Sequence, residues 1–414
     1  MNYKIQLEKN INRNYLFTFL NGLNLFHGIW MIYLAFKGLS LTQLGILEGV
    51  FHLTSLAMEV PTGAVADLYG RKTSRIAGRI VFLLSLILFI VGGHFIVYLV
   101  SFILTAISYN LETGAGDALV YDSLIELDKE DNYMKINGRQ EFYWQFSSVF
   151  AFLLGGYLAT FSYPLLFTIS IVIAIAAIFQ SFTFTEPKIV KKKEKKNWIT
   201  VYNQALESFK IVKKDKQLGV LIIFSEFMMA FATCLFFYLQ NYWKNNGYTE
   251  FEIGIIFSIA SITGAIAAIR THKIDKLLKG SERVFLTIIP LIMILSIWLI
   301  VFTDYSYIFY IILSVFEVIL YVGVNDYVNK KIPSENRATI ISFRSMVFSF
   351  CMILFFPLIG KVGDLFSLNT AFLIIAIFSS LMLVSNGLIQ WRWLRNDAKE
   401  FANKNINEIT KKIK

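Results

Sequence analysis

The feature that most constrains this chain is a succession of apolar runs, each close to the roughly 20 residues a helix needs to cross the hydrocarbon core of a bilayer. On that ruler the runs fall near residues 15–36, 42–63, 76–94, 96–118, 142–163 and 164–184, and then near 217–240, 251–270, 284–303, 305–327, 339–361 and 369–391. The third and fourth runs are parted only by the polar Gly-Gly-His turn at 92–94, the fifth and sixth only by the turn at Ser162 to Pro164. A chain that is 56% hydrophobic and 16% charged must be solvated by lipid, which excludes an aqueous enzyme. Phe occurs 39 times and Pro 6 times, which fits long helices better than short strands and turns. The expected fold class is an all-α membrane protein of about twelve transmembrane helices in two six-helix halves.

The formal charge of +10 raises the question of nucleic acid, and the placement of the basic residues answers it. They cluster at Lys4 to Arg13, Arg71 to Arg79, Lys129 to Arg139, Lys188 to Lys216, Arg270 to Arg283, Lys330 to Arg337 and Arg392 to Lys414. These are alternate loops and both termini; the intervening loops hold little beyond Lys37, Lys244 and Lys361. Such asymmetry is the positive-inside pattern, so both termini are expected in the cytoplasm, with the lipid bilayer and not a nucleic acid as partner. The N terminus is polar for too long to read as a removable signal peptide.

The expected organisation is an N-terminal half over 1–186, a basic linker over 187–216, a C-terminal half over 217–392 and a basic tail over 393–414. Between Thr185 and Lys216 stand ten lysines against four acids, with an amphipathic helix expected from Trp198 to Lys213 on anionic headgroups. Weak matches at an offset of 204 to 205 residues suggest duplication: Asn21 falls on Glu226, Glu112 on Glu317, Asp122 on Asp326, Arg139 on Arg344 and Gly156 on Gly360. The tracts GGYLATFS from Gly155 and IGKVGDLFS from Ile359 correspond in the same way. Cys234 and Cys351 lie inside apolar runs and read as packing residues; no cofactor and no metal site is expected.

Ionisable residues within spans are expensive and are functional candidates by default. Here they are Glu48, Glu59, Glu112, Asp117, Glu226, Glu317 and Arg344. Glu48, His52 and Glu59 share one helical face within about 40°, with the two acids about 16 Å apart along it. Burial disfavours a charged carboxyl, so these acids are candidates to load and release protons; for Glu59 an ion pair with Arg139 is an equal alternative. Asn21, Asn24, His27 and Trp30 recur at three-residue steps, a polar and aromatic strip suited to hydrogen-bonding a small-molecule substrate or to packing between helices. His52 reads as a packing residue.

The second run ends in Glu59-Val-Pro-Thr-Gly63-Ala-Val-Ala-Asp67-Leu-Tyr-Gly70-Arg71-Lys72. Its glycines permit a tight turn, and Asp67 and Arg71 supply charges that can lock neighbouring helix ends. Here the sequence resembles the major facilitator superfamily, whose loop between the second and third helices reads G-x-x-x-D-x-x-G-R-K. The resemblance implies that Asp67 faces a helix end of the opposite half and that Arg71 pairs with an acid at the inner end of the fourth helix, Asp122 or Asp117. Only a degraded counterpart stands in the second half near Gly264 to Lys276, with His272, Lys273 and Asp275.

The extended form E-x-P-T-G, together with GDALVYDSL from Gly116 and IPSENRATIISF from Ile332, is similar to Gram-positive drug exporters such as the clostridial type of tetracycline efflux protein. The antiporter G-P-x-x-G-G pattern of the fifth helix survives only as Gly155-Gly156, and the Arg-x-x-x-Gln-Gly pattern of the fourth is absent. The resemblance implies a monomeric, proton-coupled exporter of a small amphipathic compound in the plasma membrane; an importer or metabolite exchanger on the same fold is the alternative. With no nucleotide-binding loop in the sequence, an ion gradient is the expected energy source and an enzyme is not expected.

Overall fold

The computed structural model describes residues 3–188, 214–332 and 337–413, with the side chains of 337–339 and 393–413 excepted. The lysine run at 191–196, the amphipathic helix expected over 198–213 and residues 333–336 of the IPSENRATIISF tract lie outside the described residues, as do the side chains of the basic tail from 393 on.

Thirteen α-helices and no strand make up the described residues. In chain order they are α1 (Tyr3–Gly22), α2 (Trp30–Phe36), α3 (Leu41–Tyr69), α4 (Arg71–Val91), α5 (Phe95–Glu126), α6 (Tyr133–Phe161) and α7 (Tyr163–Phe182), then α8 (Lys216–Asn245), α9 (Glu250–Leu277), α10 (Glu282–Phe302), α11 (Ser306–Lys331), α12 (Arg337–Leu365) and α13 (Leu368–Ile413). Because α1 and α2 are two pieces of one span, the helices make twelve spans in two sets of six. Ten of these helices are long and apolar enough to cross a membrane. The two remaining spans, α1 with α2 and α3, are those diluted by Asn21, Asn24, His27, Glu48, His52 and Glu59.

The halves repeat each other in their local chemistry. The second span of each opens on a capping box, Ser40 with Gln43 before α3 and Thr249 with Glu252 before α9. In both, a hydroxyl and an amide or carboxyl satisfy backbone donors that the helix start leaves free. The weak Gly-Gly-His and Ser162 breaks are real turns: Gly92 and Gly93 take positive φ, and Ser162 caps α7 with Pro164 just inside it.

The start of α1, the end of α13 and the α3–α4 junction at Gly70 lie at one end of the bundle, called here the tail end; the α2–α3 and α6–α7 turns lie at the far end. The two halves meet along α3 with α12 and α6 with α9. Small residues allow the close approach. A Cβ on Gly45 would stand 2.7 Å from the Phe356 carbonyl oxygen, and one on Gly156 would overlap the Glu250 backbone. Among the described residues, the hydrogen bonds joining the halves belong to the far-end portion. The backbone amides of Leu41 and Thr42 donate to Asp364 at 2.9 and 2.8 Å, and Tyr163 Oη donates to Glu250 at 3.0 Å. Tyr238 Oη lies 2.7 Å from the Phe356 oxygen and 3.2 Å from that of Leu41, and the Phe251 amide donates to Thr160 at 3.1 Å. Buried Trp30, Phe237 and Phe356 pack in series beneath these contacts, with ring centroids 5.5 Å apart at each step. Among the described residues, these links tie the halves together at the far end.

Candidate functional site

The polar strip expected along a continuous first helix is a broken helix instead. α1 stops at Gly22 and α2 begins at Trp30, so Asn24 and His27 sit in the interruption while Asn21 and Trp30 flank it. Such a break is tolerated at membrane depth only where other groups take over the freed backbone. Short turns do part of this, with the His27 amide 3.2 Å from the Asn24 oxygen and the Ile29 amide 3.0 Å from that of Phe26. The rest comes from across the chain, where Gln240 Nε2 donates to the His27 carbonyl at 3.3 Å. Gly155 brings α6 against the Leu25 carbonyl, a contact that any side chain there would block.

The break borders a cavity of about 390 Å³. Asn21, Asn24, His27 and Trp30 all line it, together with Glu48, Glu112 and an aromatic wall that includes Phe26, Phe82 and Phe152. Every lining residue but Phe237 belongs to the first half. Glu48 is 8% exposed and lies 3.6 Å from His52, whose ring also meets Phe348 of the second half at 5.6 Å. His52 thus packs as expected while also facing a carboxylate.

The other acids are elsewhere. Glu59 shares its face with Glu48 in sequence but is exposed on α3 and has no ion pair with Arg139 among the described residues. Asp117 is exposed and accepts a long hydrogen bond from Gln140, at 3.5 Å. In the second half, Glu226 is buried against Arg344 at 2.6 Å, and Arg344 also binds Asn325. Glu317, near the middle of α11, is partly buried and has no hydrogen bond or ion pair among the described residues. A carboxyl clamped by a guanidinium is committed to that pair, whereas Glu317 is not.

Two arginines grouped with the tail-end cluster prove to be interior. α4 begins at Arg71, so Arg75 and Arg79 stand about 6 and 12 Å deeper on the same face. Arg75 is 2% exposed, donates to Glu112 at 2.9 Å and to Asn14 at 2.9 Å, and is sandwiched between the rings of Phe17 and Phe184, 4.0 and 4.5 Å from their centroids. Arg79 lines the cavity and donates to Asn21 Oδ1 at 2.8 Å. Their spacing of four from Arg71 was the available signal; reading the run as one surface cluster hid it.

At the tail end the loop signature forms a charge relay. Gly70, at φ 99°, ends α3 and starts α4. Arg71 lies 2.6 Å from Asp67 and 3.7 Å from buried Asp122 on α5, so Asp122 and not Asp117 is its partner. Gly63 stands in open space. Sequence reading missed Glu186, whose carboxylate accepts from the backbone amides of Arg71 at 2.6 Å and Lys72 at 2.7 Å. An anion there satisfies the free donors and the positive end of α4. In the second half, Asp275 of the degraded motif accepts from Tyr327 instead.

A profile of the Major Facilitator Superfamily matches residues 15–356. A relative from Bacillus subtilis (strain 168), described as the uncharacterized MFS-type transporter YxaM, is 23% identical over 371 residues, covering 88% of this chain and 92% of its own. The nucleoside transporter NupG superposes with a TM-score of 0.73 at 17% identity, covering 94% of this chain and 99% of that one. A bacterial homologue of the human lysosomal transporter Spinster, inward-facing and unoccupied, gives 0.73 at 15% identity over 95% and 98%. A D-xylose-proton symporter gives 0.67 at 11% identity over 93% and 97%.

Proposed function

The chain belongs to the major facilitator superfamily, and from that premise we propose that it is a proton-coupled secondary transporter exporting a small amphipathic compound, with tetracycline-like drugs as the first class to test. The observation carrying this reading is the convergence of Asn21, Asn24, His27, Trp30 and Glu48 on one cavity of about 390 Å³ at a broken helix. Interrupted helices at substrate sites are a recurring device of transporters.

With the basic tail end in the cytoplasm of the cell membrane, the closed far end faces outward and the cavity is in its inward-accessible state. The compound enters from the cytoplasm between aromatic walls and is held by the amides of the break. Release requires the Asp364 and Glu250 contacts to part and the tail end to close, with the Asp67–Arg71–Asp122 relay biasing that equilibrium. Glu48 in the cavity and Glu317, without an ion pair among the described residues, are the acids suited to carry the proton, while Glu112 and Glu226 serve as partners of arginines.

The descriptions of two neighbours, a nucleoside transporter and a D-xylose-proton symporter, favour proton-driven uptake as the second reading. Expression in a host lacking its own pumps separates the two. Lower tetracycline accumulation and raised resistance support export; unchanged accumulation, with pH-driven concentration of a nucleoside or sugar in intact cells or right-side-out vesicles, overturns it.

A further inference from the structure

Arg79 is a cavity guanidinium that no carboxylate hydrogen-bonds among the described residues. Its residue is 9% exposed, yet of its five N–H groups only one, on Nη1, has a partner among the described residues, and that partner is the neutral Asn21 amide. Nε is buried with no acceptor there. On the neighbouring helix, Glu112 is held by Arg75 through Oε1, from Nε at 3.0 Å and Nη2 at 2.9 Å, while its buried Oε2 has no hydrogen-bond partner among the described residues. On α4 and α5, Arg75 and Arg79 therefore face one cavity-lining carboxylate. The only other acid among the described residues lining the cavity, Glu48, is on α3 beside His52.

A guanidinium is desolvated at considerable cost, and a fork of free N–H groups matches a carboxylate or phosphate. Beside it the buried Oδ1 of Asn24, also at the cavity, lacks a donor among the described residues, so it suits a hydroxyl or amide N–H on the same compound. Phe82, whose ring lies 5.2 Å from the Arg79 guanidinium, with Phe26 stacked 6.5 Å from it, makes the adjoining wall flat and apolar.

We infer that Arg79, with Asn21 and Asn24, is an anion subsite, and that the transported compound is an organic anion joining a carboxylate or phosphate to a flat apolar body. This rests on the reading of the cavity as the substrate site. The anion supplies the hydrogen-bonded acceptors that the Arg79 guanidinium lacks among the described residues.

Equilibrium dialysis of the purified full-length chain against radiolabelled 2-naphthoate, 2-naphthyl phosphate and the neutral 2-naphthamide tests it. The wild type is expected to bind at least one of the two anions tenfold or more tighter than the amide, and the stronger anion identifies the group recognised. Arg79→Gln should erase that preference and Arg79→Lys should retain it in weakened form. Equal binding of amide and anions, no binding of either anion, or a preference surviving in Arg79→Gln overturns the inference; the wild-type comparison decides it even if a variant fails to fold. A charge preference without pH-driven transport would leave the subsite standing and sink the coupling reading instead.

Discussion

Asp364, in the last turn of α12, receives the backbone amide of Thr42 at 2.8 Å and its hydroxyl at 2.5 Å, tying the second half to the first turn of α3 in the first. A carboxylate at a helix N-terminus answers both the free donors and the dipole. In the proposed transport cycle this contact parts when the far end opens.

Asp364→Ala should therefore shift the protein toward the far-end-open state. After solvent screening, about 1 kcal/mol for each of the lost contacts is a fair scale. Labelling of a single cysteine in place of buried Leu44 or Phe356 by a thiol reagent should rise several-fold. Unchanged labelling would deny Asp364 any role in holding the halves.

Gly70→Ala should lower stability. The glycine sits at φ 99° and ψ 156°, a region open to almost no other residue, and an added Cβ would meet the Glu186 carboxylate at 2.8 Å. The strain is about 1–3 kcal/mol, or a melting temperature lower by a few degrees in detergent. Glu186→Ala should be milder at the backbone but should also weaken the start of α4.

Arg71→Ala removes the guanidinium that bridges Asp67 and Asp122, whereas Asp67→Asn keeps the Asp122 side of the relay. Both should leave an inserted, folded protein, with transport cut at least tenfold in Arg71→Ala and less in Asp67→Asn. Normal initial rates of transport in both would reduce the loop signature to an insertion signal.

For coupling, Gln at Glu48 or Glu317 should abolish uphill transport in proteoliposomes with an imposed pH gradient while exchange at equal pH survives. Glu59→Gln, on an exposed position, should keep uphill transport. Glu226→Gln should instead fail at the level of folding, since it strips buried Arg344 of its carboxylate, a loss on the order of 3–5 kcal/mol. Uphill transport intact in both Glu48→Gln and Glu317→Gln points to a uniporter or another ion.

Orientation can be read from single cysteines placed in the lysine run at 191–196. In intact cells they should resist impermeant thiol reagents. Rapid labelling from outside would invert the topology.

The spans and their pairing into halves were legible in the sequence because they rest on local information, the length of an apolar run and the turn residues that end it; the Arg71–Asp122 link joins distant parts of the chain and was expected only from the family resemblance, which left Asp117 as the alternative. The polar character of Asn21, Asn24, His27 and Glu48 was equally visible, and they do share a cavity. That Asn24 and His27 leave the helix altogether was decided by partners far along the chain, Gly155 and Gln240, which make room for the break and take up its carbonyl. Only the packed bundle separates Glu48 from Glu59, or Arg75 from Arg79, because residues of the same type on the same helical face differ solely in what the neighbouring helices bring against them. Glu186 and Asp364 carried no local mark, since a carboxylate becomes a helix cap only when the tertiary fold delivers it to another helix's free amides.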